Sequence, residues 1–285
     1  MNRKLLALYS LKWDPFSPDI PDEALWRPPA IEDFCWRIEQ KVREGGFALV
    51  TGDPGTGKSA VLRLLARHLA GFSELVVGIV NRPQSSLLDF YRELGDIFGV
   101  PLVLNNRCWA GFKTLREKWE AHLAATLYRP VLFVDEAQEM DPRVLSELRL
   151  LTSANFDSRS ILTVVLAGDG RMQELFRLPQ LVPLGSRIRP RLTLDYATPK
   201  ELGEFLHHLL VQAGNPRLMT EGLITTLCEH AAGNYRALCN MASELLAEGL
   251  RREVSQLDEK LYLEVFVPPT KQRSRTDGRK SSAQQ

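Results

Sequence analysis

A glycine-rich segment that ends in lysine and serine carries the strongest chemical signal in the sequence. It consists of Gly52, Asp53, Pro54, Gly55, Thr56, Gly57, Lys58 and Ser59. The spacing fits a GxxxxGK pattern followed by serine or threonine, in which backbone N–H groups wrap phosphates and the lysine reaches the β- and γ-phosphates. The final hydroxyl ligates Mg²⁺ in such a loop. The segment therefore predicts a site for ATP and Mg²⁺, with Lys58 on the phosphates and Ser59 on the metal.

Two acidic residues follow an apolar run well downstream of this loop. Asp135 and Glu136 come directly after residues 131–134, which are all apolar and typical of a buried strand. Because the carboxyl ends of parallel strands face one crevice, we expect both acids beside the phosphate loop. Asp135 is then a direct or outer partner of Mg²⁺, and Glu136 polarises a water molecule for attack on the γ-phosphate. Alternatively, the acids cap the next helix or form surface ion pairs.

Apolar periodicity predicts strands and helices in alternation over the first two thirds of the chain. The expected strands are 47–51, 75–80, 131–134 and 161–167, and the expected helices are 31–43, 59–69, 86–98, 112–127 and 142–152. Helices at 199–213, 220–231 and 235–252, with a short fourth at 256–265, follow without strands. This order predicts an α/β fold with a parallel sheet and flanking helices, followed by a small all-helical lid domain. A strand before the glycine-rich segment and a helix after it favour a phosphate loop over a turn without a ligand.

Composition divides the chain into four expected segments. They are a proline-rich arm at 1–30, the nucleotide-binding α/β domain at 31–196, the helical lid at 197–267 and a disordered basic tail at 268–285. Five prolines between residues 15 and 29 prevent a continuous helix over residues 13–30, so we expect this part of the arm to lie extended on a domain surface. Trp13 and Trp26 of the arm are candidates to enclose the adenine. Trp36 and Trp119 lie in helical apolar patterns and are expected in the core.

Charge and cysteine usage narrow the class of protein. The 285 residues include 25% charged and 44% hydrophobic residues, which excludes disorder as the main state. A formal net charge of +1 gives no attraction to polyanions over the whole protein, so nucleic-acid binding depends on local patches or on an oligomer. The four cysteines lack zinc-site spacing, and no leader peptide or run of roughly 18 apolar residues is present. A cytoplasmic protein without membrane contact is expected.

Taken together, the motifs resemble those of the AAA+ ATPases, over roughly residues 13–265. The phosphate loop and the acid pair are accompanied by a polar strand end at 168–169, a basic SRIRPR stretch at 186–191 and a GNYR turn at 233–236. The resemblance implies an AAA+ P-loop domain with a helical lid that hydrolyses ATP with Mg²⁺. It also implies that Asp169 senses the γ-phosphate, and a turn residue is the equal alternative for Asp169.

Two arginines take their expected roles from the same resemblance. Arg187 corresponds to the arginine finger, which reaches the nucleotide of a neighbouring subunit, with Arg189 and Arg191 as alternatives. A permanently charged guanidinium suits the charge on the transferring phosphoryl group, and such a finger acts only in an oligomer. Arg236 corresponds to the second sensor, which reaches the γ-phosphate across the gap between the domains. The alternatives are a solvated edge strand, or a DNA or partner contact, for the basic stretch, and an exposed helix start for Arg236.

Four shorter motifs resemble one bacterial group of AAA+ ATPases, which contains transposon-encoded helper ATPases and the general-secretion ATPases related to them. These motifs are WDPF at 13–16, LVTGDPGTGKS at 49–59, DEAQ at 135–138 and LAGD at 166–169. Secretion members usually add a membrane segment and a peptidoglycan-binding extension, so the short chain favours a transposition helper. The resemblance then implies a homo-oligomeric ring or filament on duplex DNA that selects a target and recruits or activates a transposase. The alternative is a secretion- or signalling-type ATPase with a protein client.

Candidate DNA contacts are few in number. They are Arg82, just past the second strand, and Arg107 and Lys113, around two asparagines at 105–106. A plain solvated surface is the commoner situation for such residues. The basic stretch at 271–280 offers a further contact or a solubilising terminus. Because an oligomer repeats a few basic groups along the phosphate backbone, any affinity for DNA is expected to depend steeply on salt.

Overall fold

Five parallel strands form the central sheet of the computed structural model, which describes residues 2–100, 108–156 and 158–266. The strands are β1 Gly46–Gly52, β2 Val77–Val80, β3 Val131–Val134, β4 Thr163–Gly168 and β5 Ile188–Leu194. Their order across the sheet is β2-β3-β4-β1-β5, and every neighbouring pair is parallel. The predicted α/β class with a parallel sheet is confirmed.

Two strands differ from the periodicity prediction. β4 begins two residues later than expected, because Arg159–Ser160 pairs antiparallel with Ser153–Ala154 in a separate short ladder just before it. β5 had no strand prediction of its own, since Pro190 lacks a backbone N–H and interrupts the pattern. The strand lies at the edge of the sheet, where a proline is tolerated, and its register with β1 shifts between Phe47 and Leu49. Arg189 and Arg191 are exposed on this edge strand, which is one of the alternatives that the sequence left open for the basic stretch.

The helices surround the sheet and continue beyond it. They are α1 Asn2–Tyr9, α2 Pro29–Glu44, α3 Lys58–Ala70, α4 Leu87–Phe98, α5 Cys108–Thr126, α6 Pro142–Thr152, α7 Arg171–Leu175, α8 Val182–Gly185, α9 Pro199–Ala213, α10 Glu221–His230, α11 Tyr235–Arg252 and α12 Glu259–Phe266. Helices α6, α9 and α11 begin and end where periodicity predicts. Their starts are fixed by the side chains of Asp141, Thr198 and Asn234, which accept hydrogen bonds from backbone N–H groups of the first turn.

Alternating side chains of the strands build one apolar core on each face of the sheet. On one face, Phe47 and Leu49 of β1 pack with buried residues of α4, α5 and α6. On the other, Ala48 and Val50 pack with buried residues of α2 and α3. Because successive strand residues point to opposite faces, a strand covered on both sides is apolar throughout, as β3 is. This burial holds the carboxyl ends of β1, β3 and β4 rigidly at one edge.

A third core joins the lid to the amino-terminal segment. Helices α9 to α12 bury their apolar sides together with Leu5, Tyr9 and Phe16. Residues 2–9, which precede the proline-rich part of the predicted arm, form α1. The prolines begin only at residue 15, so nothing before them prevents a helix whose apolar side is buried. The boundary at residue 30 stays a prediction.

Arginine side chains of α3 attach this segment to the phosphate-loop helix. Arg63 donates hydrogen bonds to the carbonyl oxygens of Pro18 at 2.9 Å and Ile20 at 2.8 Å, and its guanidinium lies 2.7 Å from the Asp22 carboxylate. The segment thus contacts both the lid core and the helix that begins at the glycine-rich loop.

The tryptophans divide between core and surface. Trp119 is 1% exposed, as expected for a core residue. The expectation for Trp36 is wrong, because this side chain is 59% exposed. Helix α2 directs Phe34 and Ile38 toward the sheet, and Trp36, about 200° around the helix from Phe34, lies on the opposite side. In the predicted arm, Trp13 packs on the lid core and Trp26 meets the His208 ring edge-on at 5.0 Å.

In residues 2–100, 108–156 and 158–266, no helix combines the length and apolar character needed to cross a bilayer. The predicted basic tail lies outside the described residues.

Candidate active site

The glycine-rich loop links β1 to α3 and encloses a lysine. Gly55 and Gly57 have φ angles of +88° and +103°, a backbone region that favours glycine, and Gly57 immediately precedes α3. The Lys58 ammonium donates to the carbonyl oxygens of Gly52 at 2.9 Å and Asp53 at 3.3 Å. Thr56 is buried and its hydroxyl also donates to the Asp53 carbonyl, at 2.8 Å. The loop is therefore held in a curved shape around a helix N-terminus, a geometry that suits phosphate groups.

Ser59 and Asp135 meet across the sheet edge. The Ser59 hydroxyl donates to a carboxylate oxygen of Asp135 at 2.8 Å, although 76 residues separate the two in sequence. The other Asp135 oxygen accepts a hydrogen bond from the Glu136 backbone N–H at 2.9 Å. A hydroxyl and a carboxylate in contact are a hard-oxygen pair, so the site fits Mg²⁺ that keeps water and phosphate as its remaining ligands. This contact brings the two predicted metal ligands together.

Glu136 occupies a special backbone position. Its φ and ψ are 49° and 41°, in the left-handed region that few residues other than glycine adopt, and a short 3₁₀ turn, Ala137–Glu139, follows it. The Glu136 side chain is exposed, and its carboxylate accepts a hydrogen bond from the Gln138 amide. A carboxylate beside Asp135 and open to solvent can contact a water molecule at the phosphate loop.

Asp169 lies at the end of β4 and is bound to a neighbouring arginine. Its carboxylate lies 2.8 Å from the Arg171 guanidinium, which also contacts Glu139 at 2.7 Å. The hydrogen bond from Arg171 lowers the pKa of Asp169, and the positive charge of Lys58 contributes to the same shift. One carboxylate oxygen also accepts the backbone N–H of Arg171 at 2.9 Å, which is the turn role that the sequence left open. The sensor role of Asp169 stays a prediction.

The lid contacts the glycine-rich loop through its GNYR turn. The Asn234 amide donates to the Pro54 carbonyl at 2.9 Å, and the Arg236 backbone N–H lies 3.4 Å from the Gly55 carbonyl oxygen. A Cβ at Gly55 would lie 2.2 Å from the Asn234 side-chain oxygen, so only glycine permits this approach. The side chain of Arg236 is exposed, at the first turn of α11. The structure therefore brings the predicted second sensor to the predicted phosphate loop.

Two residues near this site were missed by sequence reasoning. Gln138 is buried and contacts both acidic strand ends, since its amide oxygen accepts the Asp169 backbone N–H at 3.2 Å. Tyr196, in the linker between β5 and α9, is hydrogen-bonded to Asp53, and this bond raises the pKa of Tyr196. Part of the signal for Gln138 was present in the DEAQ motif. The partner of Tyr196 lies 143 residues away, and no local pattern marks that contact.

Arg187 is remote from the glycine-rich loop of its own chain. It precedes β5, whose last residue, Leu194, pairs with Gly52. With a rise of about 3.3 Å per residue, Arg187 lies about 20 Å from that end of the sheet. Its guanidinium contacts the Ser153 hydroxyl at 3.4 Å. Of the alternatives, Arg191 donates to the Gly185 carbonyl at 2.7 Å and Arg189 is exposed.

Two of the three candidate DNA contacts lie in the part of the chain that the structure describes. Arg82 is exposed just past the carboxyl end of β2, at the edge of the sheet that also carries the glycine-rich loop. Lys113 is exposed on α5 and lies 3.7 Å from Glu117. Arg107 lies outside the described residues.

Comparisons with known proteins agree with this geometry. Residues 40–176 match a family described as "AAA domain". General secretion pathway protein A from Aeromonas hydrophila is 35% identical over 173 residues, which are 60% of this chain and 30% of the relative's length. The chain therefore spans less than a third of that relative.

Solved structures share the fold at low sequence identity. The crystal structure of Cdc6p from Pyrobaculum aerophilum has a TM-score of 0.68 at 14% identity, over 85% of this chain and 67% of that one. The Aeropyrum pernix ORC1 protein, solved in complex with DNA, has a TM-score of 0.65 at 16% identity, over 87% and 67%. At these identities the likeness concerns the fold alone. The chain thus has the AAA+ P-loop fold with a GxxxxGKS loop, its residues 40–176 match the AAA domain, and it is related in sequence to general secretion pathway protein A.

Proposed function

We propose that the protein hydrolyses ATP, and the contact between Ser59 and Asp135 carries this proposal. In the proposed reaction a water oxygen bonds to the γ-phosphorus, the bond to the oxygen that bridges to ADP breaks, and the Glu136 carboxylate takes the proton of the water. Lys58 neutralises the phosphate charge from within the loop. Ser59 and Asp135 would hold Mg²⁺, which neutralises charge on the β- and γ-phosphates when bound. Asp169 and Arg236 would respond to the γ-phosphate.

The position of Arg187 supports an oligomeric enzyme. Because its backbone lies about 20 Å from the sheet end that carries its own loop, Arg187 can stabilise a phosphoryl group only on a second copy of the chain. Hydrolysis would then depend on contact between subunits. Such dependence suits a switch, because assembly controls the rate and hydrolysis resets the assembly.

We further propose that the ATP-bound oligomer is a ring or filament on duplex DNA that selects a target site and recruits or activates a transposase. The resemblance of the WDPF, DEAQ and LAGD motifs to the bacterial group that contains transposition helpers supports this proposal. The fold likeness to an ORC1 protein solved in complex with DNA is compatible with it. Electron microscopy with duplex DNA, with and without ATP, tests the assembly directly.

DNA binding is expected to require ATP and to be independent of the base sequence of the duplex. With a slowly hydrolysed analogue, affinity for duplexes of one length and arbitrary sequence should be similar, because phosphate contacts carry no sequence information. Between about 50 and 200 mM salt, affinity should fall about 10³-fold or more if six or more phosphates are neutralised per assembly. Fluorescence anisotropy measures both effects.

A charge-matched pair of variants separates these contacts from net charge. Replacement of Arg82, Arg107 and Lys113 by alanine should reduce the salt slope and leave ATP binding intact. Replacement of Arg37, Lys200 and Arg251, each exposed within its own ion pair, removes the same charge and should leave the slope unchanged. A wild-type protein that shows no DNA affinity at low salt with ATP bound contradicts the DNA proposal.

A second candidate function is an ATPase that acts on a protein client. The sequence relationship to general secretion pathway protein A favours this candidate. It predicts ATP hydrolysis that duplex DNA neither accelerates nor slows. A phosphate-release assay with and without DNA therefore distinguishes the two candidates while leaving the proposed ATPase chemistry intact.

The lid contact is expected to contribute to nucleotide affinity. Asn234→Ala and Thr220→Ala each remove a helix N-cap from the lid, so each should lower the free energy of unfolding by about 1 kcal/mol. Only Asn234 also bonds to the glycine-rich loop, so only Asn234→Ala should weaken ATP binding, by up to about tenfold. Thermal unfolding and titration with a fluorescent ATP analogue measure the two effects. Equal ATP affinity in the two variants would show that the lid contact does not support the loop.

A further inference from the structure

A buried amide links the two acidic strand ends of the candidate site. Gln138 is 8% exposed, and its side chain lies between Glu136, which follows β3, and Asp169, which follows β4. The amide nitrogen donates to the Glu136 carboxylate and the amide oxygen accepts from the Asp169 backbone N–H. Both polar ends of a buried side chain are thus satisfied, which its burial requires.

The chemistry of the partners determines the orientation of this amide. A backbone N–H can only donate, so the Gln138 oxygen must face Asp169. The amide nitrogen then faces Glu136, whose carboxylate oxygen accepts its hydrogen bond. A flipped amide would lose both hydrogen bonds.

The surroundings of the amide are fitted closely to it. A Cβ at Gly168 would lie 2.7 Å from the Gln138 side-chain oxygen and 2.6 Å from the Met172 Cγ, so any larger residue at this strand end would force these two side chains to move. The carboxylate of Asp169 is held by Arg171, which also contacts Glu139 of the same turn as Gln138. The end of β4 and the turn after β3 are therefore joined twice, by the amide and by this ion pair.

We propose that Gln138 is a positioning residue, which holds the Glu136 carboxylate in place for the attacking water and ties its position to the end of β4. The proposal rests on the proposed ATPase function. A shift of Asp169 on nucleotide binding moves the backbone N–H that anchors Gln138, and Gln138 transmits that shift to Glu136. Catalytic activity is thereby coupled to the strand end nearest the predicted sensor.

Gln138→Glu tests this role with the least change in shape. The variant keeps an oxygen for the Asp169 N–H and replaces the donor to Glu136 by a second carboxylate. We expect kcat to fall about 10- to 100-fold, as for a catalytic group misplaced by about 1 Å, while KM for ATP changes less than about threefold. Gln173→Glu, on the exposed side of α7, introduces the same charge nearby and should keep wild-type kcat.

A double-mutant cycle separates positioning from a structural contribution. In a Glu136→Gln background the group that Gln138 positions is gone, so Gln138→Glu should lower kcat further by less than about threefold. A loss of the same size in both backgrounds overturns the proposal, as does wild-type kcat in the single variant. If the glutamate variant fails to unfold cooperatively, Gln138→Met replaces it as a neutral side chain of similar shape, with the same expected loss of kcat. A wild-type protein without ATPase activity would instead refute the proposed function itself.

Discussion

The Glu136→Gln protein is expected to bind ATP like the wild type and to hydrolyse it about 10²- to 10⁴-fold more slowly, the contribution of a positioned general base. The amide keeps the size of the carboxylate but cannot take a proton from water. Lys58→Ala is expected to abolish nucleotide binding, because the ammonium lies inside the loop that wraps the phosphates. A fluorescent ATP analogue measures affinity, and phosphate release measures kcat.

The difference between Glu136→Gln and Lys58→Ala tests whether Glu136 acts in catalysis and Lys58 in nucleotide binding. Glu174→Gln, at an exposed position on α7, makes the same chemical change outside the site and should leave both measurements at the wild-type level. Equal loss of ATP binding in Glu136→Gln and Lys58→Ala would show that Glu136 supports the fold of the site and has no separate catalytic role.

Mixing Arg187→Ala protein with Lys58→Ala protein is expected to restore hydrolysis that neither variant has alone. The first supplies an intact glycine-rich loop and the second an intact arginine, so an interface between them unites both parts of one site. An arginine finger contributes about 10³- to 10⁵-fold to kcat, so the recovered activity should stand far above either parent. Phosphate release across a series of mixing ratios measures it.

The neighbouring arginines provide the control for this experiment. Arg189→Ala should remain active, since it removes the same charge two residues away on the exposed edge strand and leaves Arg187 in place. Normal hydrolysis by Arg187→Ala alone would move the finger to Arg189 or Arg191, or remove the role from this stretch. Of those two, Arg191 would first have to release its hydrogen bond to the Gly185 carbonyl.

Local sequence patterns predicted the parts of the site that depend on neighbouring residues. The glycine-rich loop and the acids after β3 lie next to apolar runs, and the burial of those runs places them at one edge of the sheet. Contacts between distant segments escaped prediction. Gln138 meets a backbone group 31 residues away, and its burial depends on Gly168 lacking a side chain. For β5, the edge position and the register shift at Pro190 are tertiary properties that periodicity does not contain.

The packing of the amino-terminal segment against the lid affects how the chain folds during translation. The core that buries Leu5, Tyr9 and Phe16 includes a few other residues before residue 65, and the rest of its buried members lie beyond residue 200. Synthesis proceeds from the amino end, so these side chains leave the ribosome long before their partners exist. All five strands lie between residues 46 and 194, and the sheet can close while the lid is still being translated. The nascent chain therefore carries an unburied apolar segment ahead of the sheet, which a chaperone can bind until α9 to α12 emerge and bury it.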